Sequence, residues 1–172
     1  MSNRFSDSDE IEYPDAHDDE ALCLSALMRC GGGLRKRAKR ALKPEMFERY
    51  RDLAYVVLST DGRPDADTVE ARYNGGGLDE VTSLRPVPQN LFNDHGPEPG
   101  YVGKIRQAYG SNRLLDEIYD TACSVHDEDF QTLAESLQER LSDVNAELDR
   151  GGGKDMETLC AEVMQDLRDE QG

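Results

Sequence analysis

Residues 101–148 read YVGKIRQAYGSNRLLDEIYDTACSVHDEDFQTLAESLQERLSDVNAEL. Ile105, Ala108, Leu114, Leu115, Ile118, Tyr119 and Ala122 recur at the three- and four-residue steps of an apolar helical stripe. After a break at Ser124, Val125 and His126 the pattern resumes with Phe130, Leu133, Leu137, Leu141, Val144 and Leu148, at spacings of 3, 4, 4, 3 and 4. Their mean of 3.6 is α-helical periodicity rather than a strict heptad. Asp127 is expected to cap the second helix, with Glu128 and Asp129 set against its positive end. Gly151, Gly152 and Gly153 are expected to stop it. Helices of this length joined by so few residues should lie antiparallel, as a hairpin. Two readings are open. One is half of an ordinary helix bundle. The other is an association arm, because two helices alone cannot bury a whole apolar face.

The rest of the chain sets the frame for that hairpin. At 172 residues it can hold one ordinary domain and an appendage. It lacks Trp and is only 37% hydrophobic, which limits the core. A net charge of −16 argues against general affinity for nucleic-acid phosphates or anionic membranes and, if anything, favours a basic protein partner. No apolar run reaches membrane-spanning length, and residues 1–20 lack the character of a signal peptide. Cys23, Cys30, Cys123 and Cys160 have no CxxC spacing and read as reduced thiols, mostly buried; a cytoplasmic location fits. His17, His95 and His126 are scattered, and no metal is expected.

Taken in order, residues 1–17 form an acidic tail expected to be disordered, and residues 18–100 a helical globule. A first helix is expected over 20–28, with Leu22, Cys23, Ala26 and Leu27 inward, Asp18 or Asp19 as its cap, and Gly31, Gly32 and Gly33 at its end. A second, 34–42, turns Leu34, Ala38, Ala41 and Leu42 inward and Arg35, Lys36, Arg37, Lys39 and Arg40 outward. With Arg29 and Lys43 these make seven bases and no acid between Ala21 and Pro44. That face reads either as a solvated surface that pairs with the acidic tail or as a docking face for an acidic partner or a phosphate backbone. Pro44 is expected to open a third helix running to Thr60, with Phe47, Tyr50, Leu53, Ala54, Val57 and Leu58 buried. A short helix capped by Asp65 or Asp67 follows, then a turn over 74–77 and, from Leu78 to Gly100, an irregular, proline-punctuated connection carrying at most short helices. The hairpin takes 101–149 and a glycine-rich linker 150–154. Residues 155–170 form a last amphipathic helix, with Met156, Leu159, Cys160, Val163, Met164 and Leu167 at helical spacing. No strand pattern stands out, so the expected fold class is all-α.

Motifs that carry chemistry are missing. Gly151, Gly152, Gly153 and Lys154 do not make a phosphate-binding loop, and there is no GxSxG elbow or HExxH pair. The chain reads as a non-enzyme with no catalytic residues and no cofactor.

The order of the pieces resembles the N-terminal domain of DnaB-type replicative DNA helicases. ExxxLxxL[ML] is similar to the run EALCLSALM over 20–28, and LxP[ED]xF to Leu42, Lys43, Pro44, Glu45, Met46 and Phe47. GxPxDxx[TV] resembles Gly62, Arg63, Pro64, Asp65, Ala66, Asp67, Thr68 and Val69, and GxL[DE]xV resembles Gly77 to Val81 with Gly77 directly before Leu78. The opening of that family's hairpin is similar to Tyr101, Ile105, Arg106, Gln107, Arg113, Leu114 and Leu115. The likeness spans roughly residues 18–148 and lies in order and spacing, since no single motif is specific. Departures are the proline-rich segment 82–99, Gly103 and Gly110 inside the first hairpin helix, and the absence of a motor domain before Gly172.

The resemblance implies a collar domain that associates with its own copies through the hairpin, at Leu115, Ile118, Tyr119, Ala122, Phe130, Leu133, Leu137, Leu141 and Val144. It implies docking of a primase C-terminal domain or helicase loader, and packing of the 155–170 linker helix on a neighbouring ATPase domain in a hexameric ring. Alternatives are a stand-alone regulator binding a helicase or primase, an unrelated acidic adaptor that grips a basic partner, and DNA binding through the basic run.

Overall fold

The structure, a computed structural model, describes residues 13–151, without the side chains of 149–151. Within it the fold is all-α, with no strand among the described residues. Seven α-helices follow in order: α1 (His17–Leu27), α2 (Gly32–Ala41), α3 (Arg51–Ser59), α4 (Ala66–Arg72), α5 (Leu78–Ser83), α6 (Tyr101–Cys123) and α7 (Phe130–Gly151). Single 3₁₀ turns occupy Pro44–Met46 and Pro88–Leu91.

Helix α1 is the centre of the globule, and its composition says why. The run ALCLSALM from Ala21 to Met28 carries no charge, and a helix apolar on every side must be surrounded. Accordingly α1 touches α2, α3, α5, α6 and the Pro88–Leu91 turn, and Cys23, Leu24, Ala26 and Leu27 are buried in a core completed by Phe47, Leu53, Val57, Val69, Val81, Leu91, Val102 and Ile105. The cap expected of Asp18 or Asp19 is not made. Ala16 occupies the N-cap position, and both acids lie in the first turn with Glu20, where negative charge meets the helix dipole. The three glycines do not end α1 either. The helix stops at Leu27, and Gly32 and Gly33 form the first turn of α2.

The single helix expected from Pro44 to Thr60 is two pieces: a 3₁₀ turn at Pro44–Met46, then α3 from Arg51. The reason is tertiary. Glu20 of α1 is only 2% exposed, and its carboxylate accepts the backbone N–H groups of Arg49 (3.1 Å) and Tyr50 (3.3 Å). A side chain from another helix thus satisfies amides at the start of α3, which pure local periodicity cannot reveal. The break still lets Phe47 and Tyr50 turn inward. Asp65 caps α4 by accepting Thr68 N–H at 2.8 Å. Gly77, before α5, has φ +94°, in the left-handed region that favours glycine.

Residues 13–17, assigned to the tail from sequence, join the fold. Tyr13 Oη donates to Asp116 (3.1 Å), Asn112 donates to the Pro14 carbonyl (3.0 Å), and α1 begins at His17.

Helices α6 and α7 lie side by side with opposite directions. Gly110 faces Leu148, Arg113 pairs with Glu147 at 3.2 Å, and nearer the loop Glu117 pairs with Arg140 at 3.5 Å. Gly103 and Gly110 do not interrupt α6. A Cβ at Gly110 would stand 3.0 Å from a Leu148 methyl carbon, so the missing side chain is what allows α7 to lie so close. Asp129, not Asp127, caps α7, accepting Thr132 N–H at 2.8 Å. Asp129 lies immediately before Phe130, where α7 begins, which places its carboxylate within reach of the first free amides.

A candidate protein-docking arm

The root of α6 belongs to the core. Val102 and Ile105 are buried against the globule, and Arg106 donates to the carbonyls of Ala41 and Leu148, tying α2, α6 and the last turns of α7 together. One turn further, the Tyr109 hydroxyl donates to Glu147 at 2.6 Å. Burial, and then that hydrogen bond to a carboxylate, push the phenol up to about 12. A cavity of about 180 Å³ opens beside this junction, among Glu20, Met46, Arg51, Tyr109, Asn112 and Arg113. Burial raises the Glu20 carboxyl above the ordinary range, opposed by the backbone donors of Tyr50 and Arg49.

Beyond Asp116, which still holds Tyr13, the arm leaves the globule, and α7 packs chiefly on α6. Here the stripe residues separate. Val144 is 1% exposed and sits between the two helices, so this residue is taken up within the chain and is not available to a second copy. Leu115, Leu133, Leu137 and Leu141 are half-buried in the same way. At the far end Ile118 (53%), Tyr119 (61%) and Phe130 (86%) are exposed, with Ala122 and Val125 beside them. Ile118 and Ala122 stand one turn apart on the same face of α6. The association residues read from sequence therefore divide into an internal set and a free set at the tip. Val125, in the loop, was missed because it falls in the break between the two periodic runs. The six apolar positions of the 155–170 helix lie outside the described residues.

The basic face proves to be largely spoken for. Arg37 makes a bidentate pair with Asp94 (2.8 and 2.9 Å) and stacks on the Phe92 ring at 3.9 Å. Arg35 donates to the Cys30 carbonyl and Lys39 to that of Thr60. Arg29 donates to the carbonyls of Thr82 and Leu84, both at 2.6 Å. Cys30, Thr60 and Leu84 lie at or just beyond the ends of α1, α3 and α5. Cations there meet the negative ends of helix dipoles and carbonyls that the helix itself cannot satisfy. Lys36 and Arg40 alone of the five expected docking residues, with Lys43, make no side-chain hydrogen bond or ion pair among the described residues. Of the acidic tail, residues 13–17 meet α6 and Glu48 rather than this face, and residues 1–12 lie outside the described residues. The proline-rich connection, for its part, is stapled to α2 through Phe92 and Asp94.

Cys23 and Cys30 are buried free thiols, and burial raises both above the ordinary thiol range, whereas Cys123 is exposed at the end of α6. No helix among the described residues is long and apolar enough to cross a membrane. No group of three or more His, Cys, Asp or Glu among them could hold a metal ion. No family model matches this chain, no curated protein is significantly similar to it in sequence, and no solved structure is significantly similar to it in fold.

Proposed function

We propose that this chain is a non-catalytic assembly domain of the replicative-helicase collar kind: a helical globule carrying an arm whose free end makes protein–protein contacts. In that role the arm associates with its own copies, and the assembly receives a primase or helicase loader. The observation that carries the reading is the split along α6. Its root is sealed into the core, while Ile118, Tyr119, Ala122, Val125 and Phe130 gather, exposed, at the arm's end. Apolar side chains concentrated at the far end of a projecting element mark contact surfaces more than they mark fold stability.

Sedimentation over a concentration series tests the proposal. At about 1 M salt, where the Debye length falls to roughly 3 Å, acidic arms cease to repel one another. Under those conditions the chain should self-associate, and the double variant Ile118→Ser, Phe130→Ser should remain monomeric. A strict monomer up to high micromolar concentration would remove self-pairing from the arm's role.

A further inference from the structure

Between Arg113 and Arg140 the arm carries eight acids and no Lys or Arg: Asp116, Glu117, Asp120, Asp127, Glu128, Asp129, Glu135 and Glu139. Only Glu117 has an ion pair among the described residues, with Arg140. Asp116 accepts from Tyr13, Asp129 caps α7, and Glu135 accepts from Gln131. Asp120, Asp127, Glu128 and Glu139 are exposed, and their carboxylates make no hydrogen bond or ion pair among the described residues, on the segment that also exposes Ile118, Tyr119 and Phe130. An apolar strip rimmed by one sign of charge selects its occupant by the opposite sign. Two copies meeting tip to tip would set like charges against each other, and phosphate-bearing surfaces, whether nucleic acid or lipid, are repelled for the same reason.

We propose that the arm's tip is the docking surface for a basic amphipathic helix of another protein, its apolar side chains lying on Ile118, Tyr119, Ala122 and Phe130 and its Lys or Arg residues meeting the acidic rim. This rests on the reading of the arm as a contact device and names the class of partner that its free end prefers. Helix-on-helix docking of this kind uses anchors at three- and four-residue steps on the incoming segment, which matches the spacing of Ile118 and Ala122.

The test uses the full chain and a fluorescent helical peptide of about 16 residues, Leu on one face and Lys on the other, with a matched peptide carrying Glu in place of Lys. The Lys peptide should bind saturably at low salt, and the Glu peptide should not. Raising salt to about 1 M should weaken binding roughly tenfold or more, and Ile118→Ser, Phe130→Ser should weaken it at low salt by a similar factor. These side chains are exposed, so the variant keeps its helix content, checked by circular dichroism. Equal binding of the two peptides, or Lys-peptide binding unchanged by the double variant, overturns the proposal. So does self-association that is stronger at low salt than at high. If the Lys peptide fails while the chain still self-associates through the tip, the choice of partner is wrong and the contact arm stands. If neither occurs, both readings fall.

Discussion

Ile105 and Ile118 are the same residue type on the same helix, and they meet opposite fates. Ile105 is 1% exposed, wedged among the buried side chains of the globule, and Ile118 is 53% exposed near the end of the arm. Between them the apolar surface stops contributing to folding and becomes available to other molecules. The electrostatics change along the same line. Around the globule, cations sit at the ends of α1, α3 and α5 and at Asp94, whereas the arm's end holds acids with one ion pair among them. Charge at the root closes the fold, and charge at the tip is left facing solvent.

The contrast can be broken most forcefully at the root. Ile105→Ala should cost about 2–5 kcal/mol in urea unfolding, the usual range for truncating a fully buried aliphatic side chain. A loss under about 1 kcal/mol would mean that the root is no more a part of the core than the tip.

Glu20 comes next. Glu20→Ala strips the acceptor from two amides at the start of α3 and should cost about 1–3 kcal/mol. Glu20→Gln keeps an acceptor and isolates the charge. Because burial raises the folded carboxyl above its unfolded value, at pH values between the two the native chain holds a proton that the unfolded chain releases. The stability tied to this group is therefore full below the unfolded value and is lost as pH rises through the folded one. Urea midpoints measured across the acid range should fall with rising pH for the native sequence relative to Glu20→Gln. Parallel profiles would show that Glu20 does not titrate differently in the fold.

Arg106→Met, which removes the donors to Ala41 and Leu148 while keeping much of the stem, should cost about 1–2 kcal/mol. It should speed amide exchange in the last turns of α7 more than in α1. Uniform protection would place the junction elsewhere. The smallest effect belongs to the tip: Ile118→Ala should shift stability by no more than about 0.5 kcal/mol, while measurably weakening association in sedimentation. A stability loss comparable to that of Ile105→Ala would erase the distinction between root and tip.

How much of this was legible beforehand follows from the range of the forces involved. The two long helices, the break between them and the inward positions of Phe47, Leu53, Ala54, Val57 and Ile105 follow from periodicity, because an apolar stripe every three or four residues has few alternatives to a buried helical face. The acidic run of the arm is likewise plain in the chain. What periodicity could not supply was the break before α3, where Glu20 arrives from α1, or the use of Arg29, Arg35 and Lys39 on the carbonyl ends of other segments. Those partners lie 5 to 55 residues away in sequence, and a basic run looks the same whether it faces solvent or closes a helix end. Nor could it separate Val144 from Ile118, two stripe residues of like character. By itself the sequence determined which side chains seek burial, since hydrophobicity is a property of each residue. Only the tertiary structure decided which of them find it, because burial is shared among neighbours and the arm runs out of neighbours before it runs out of apolar side chains.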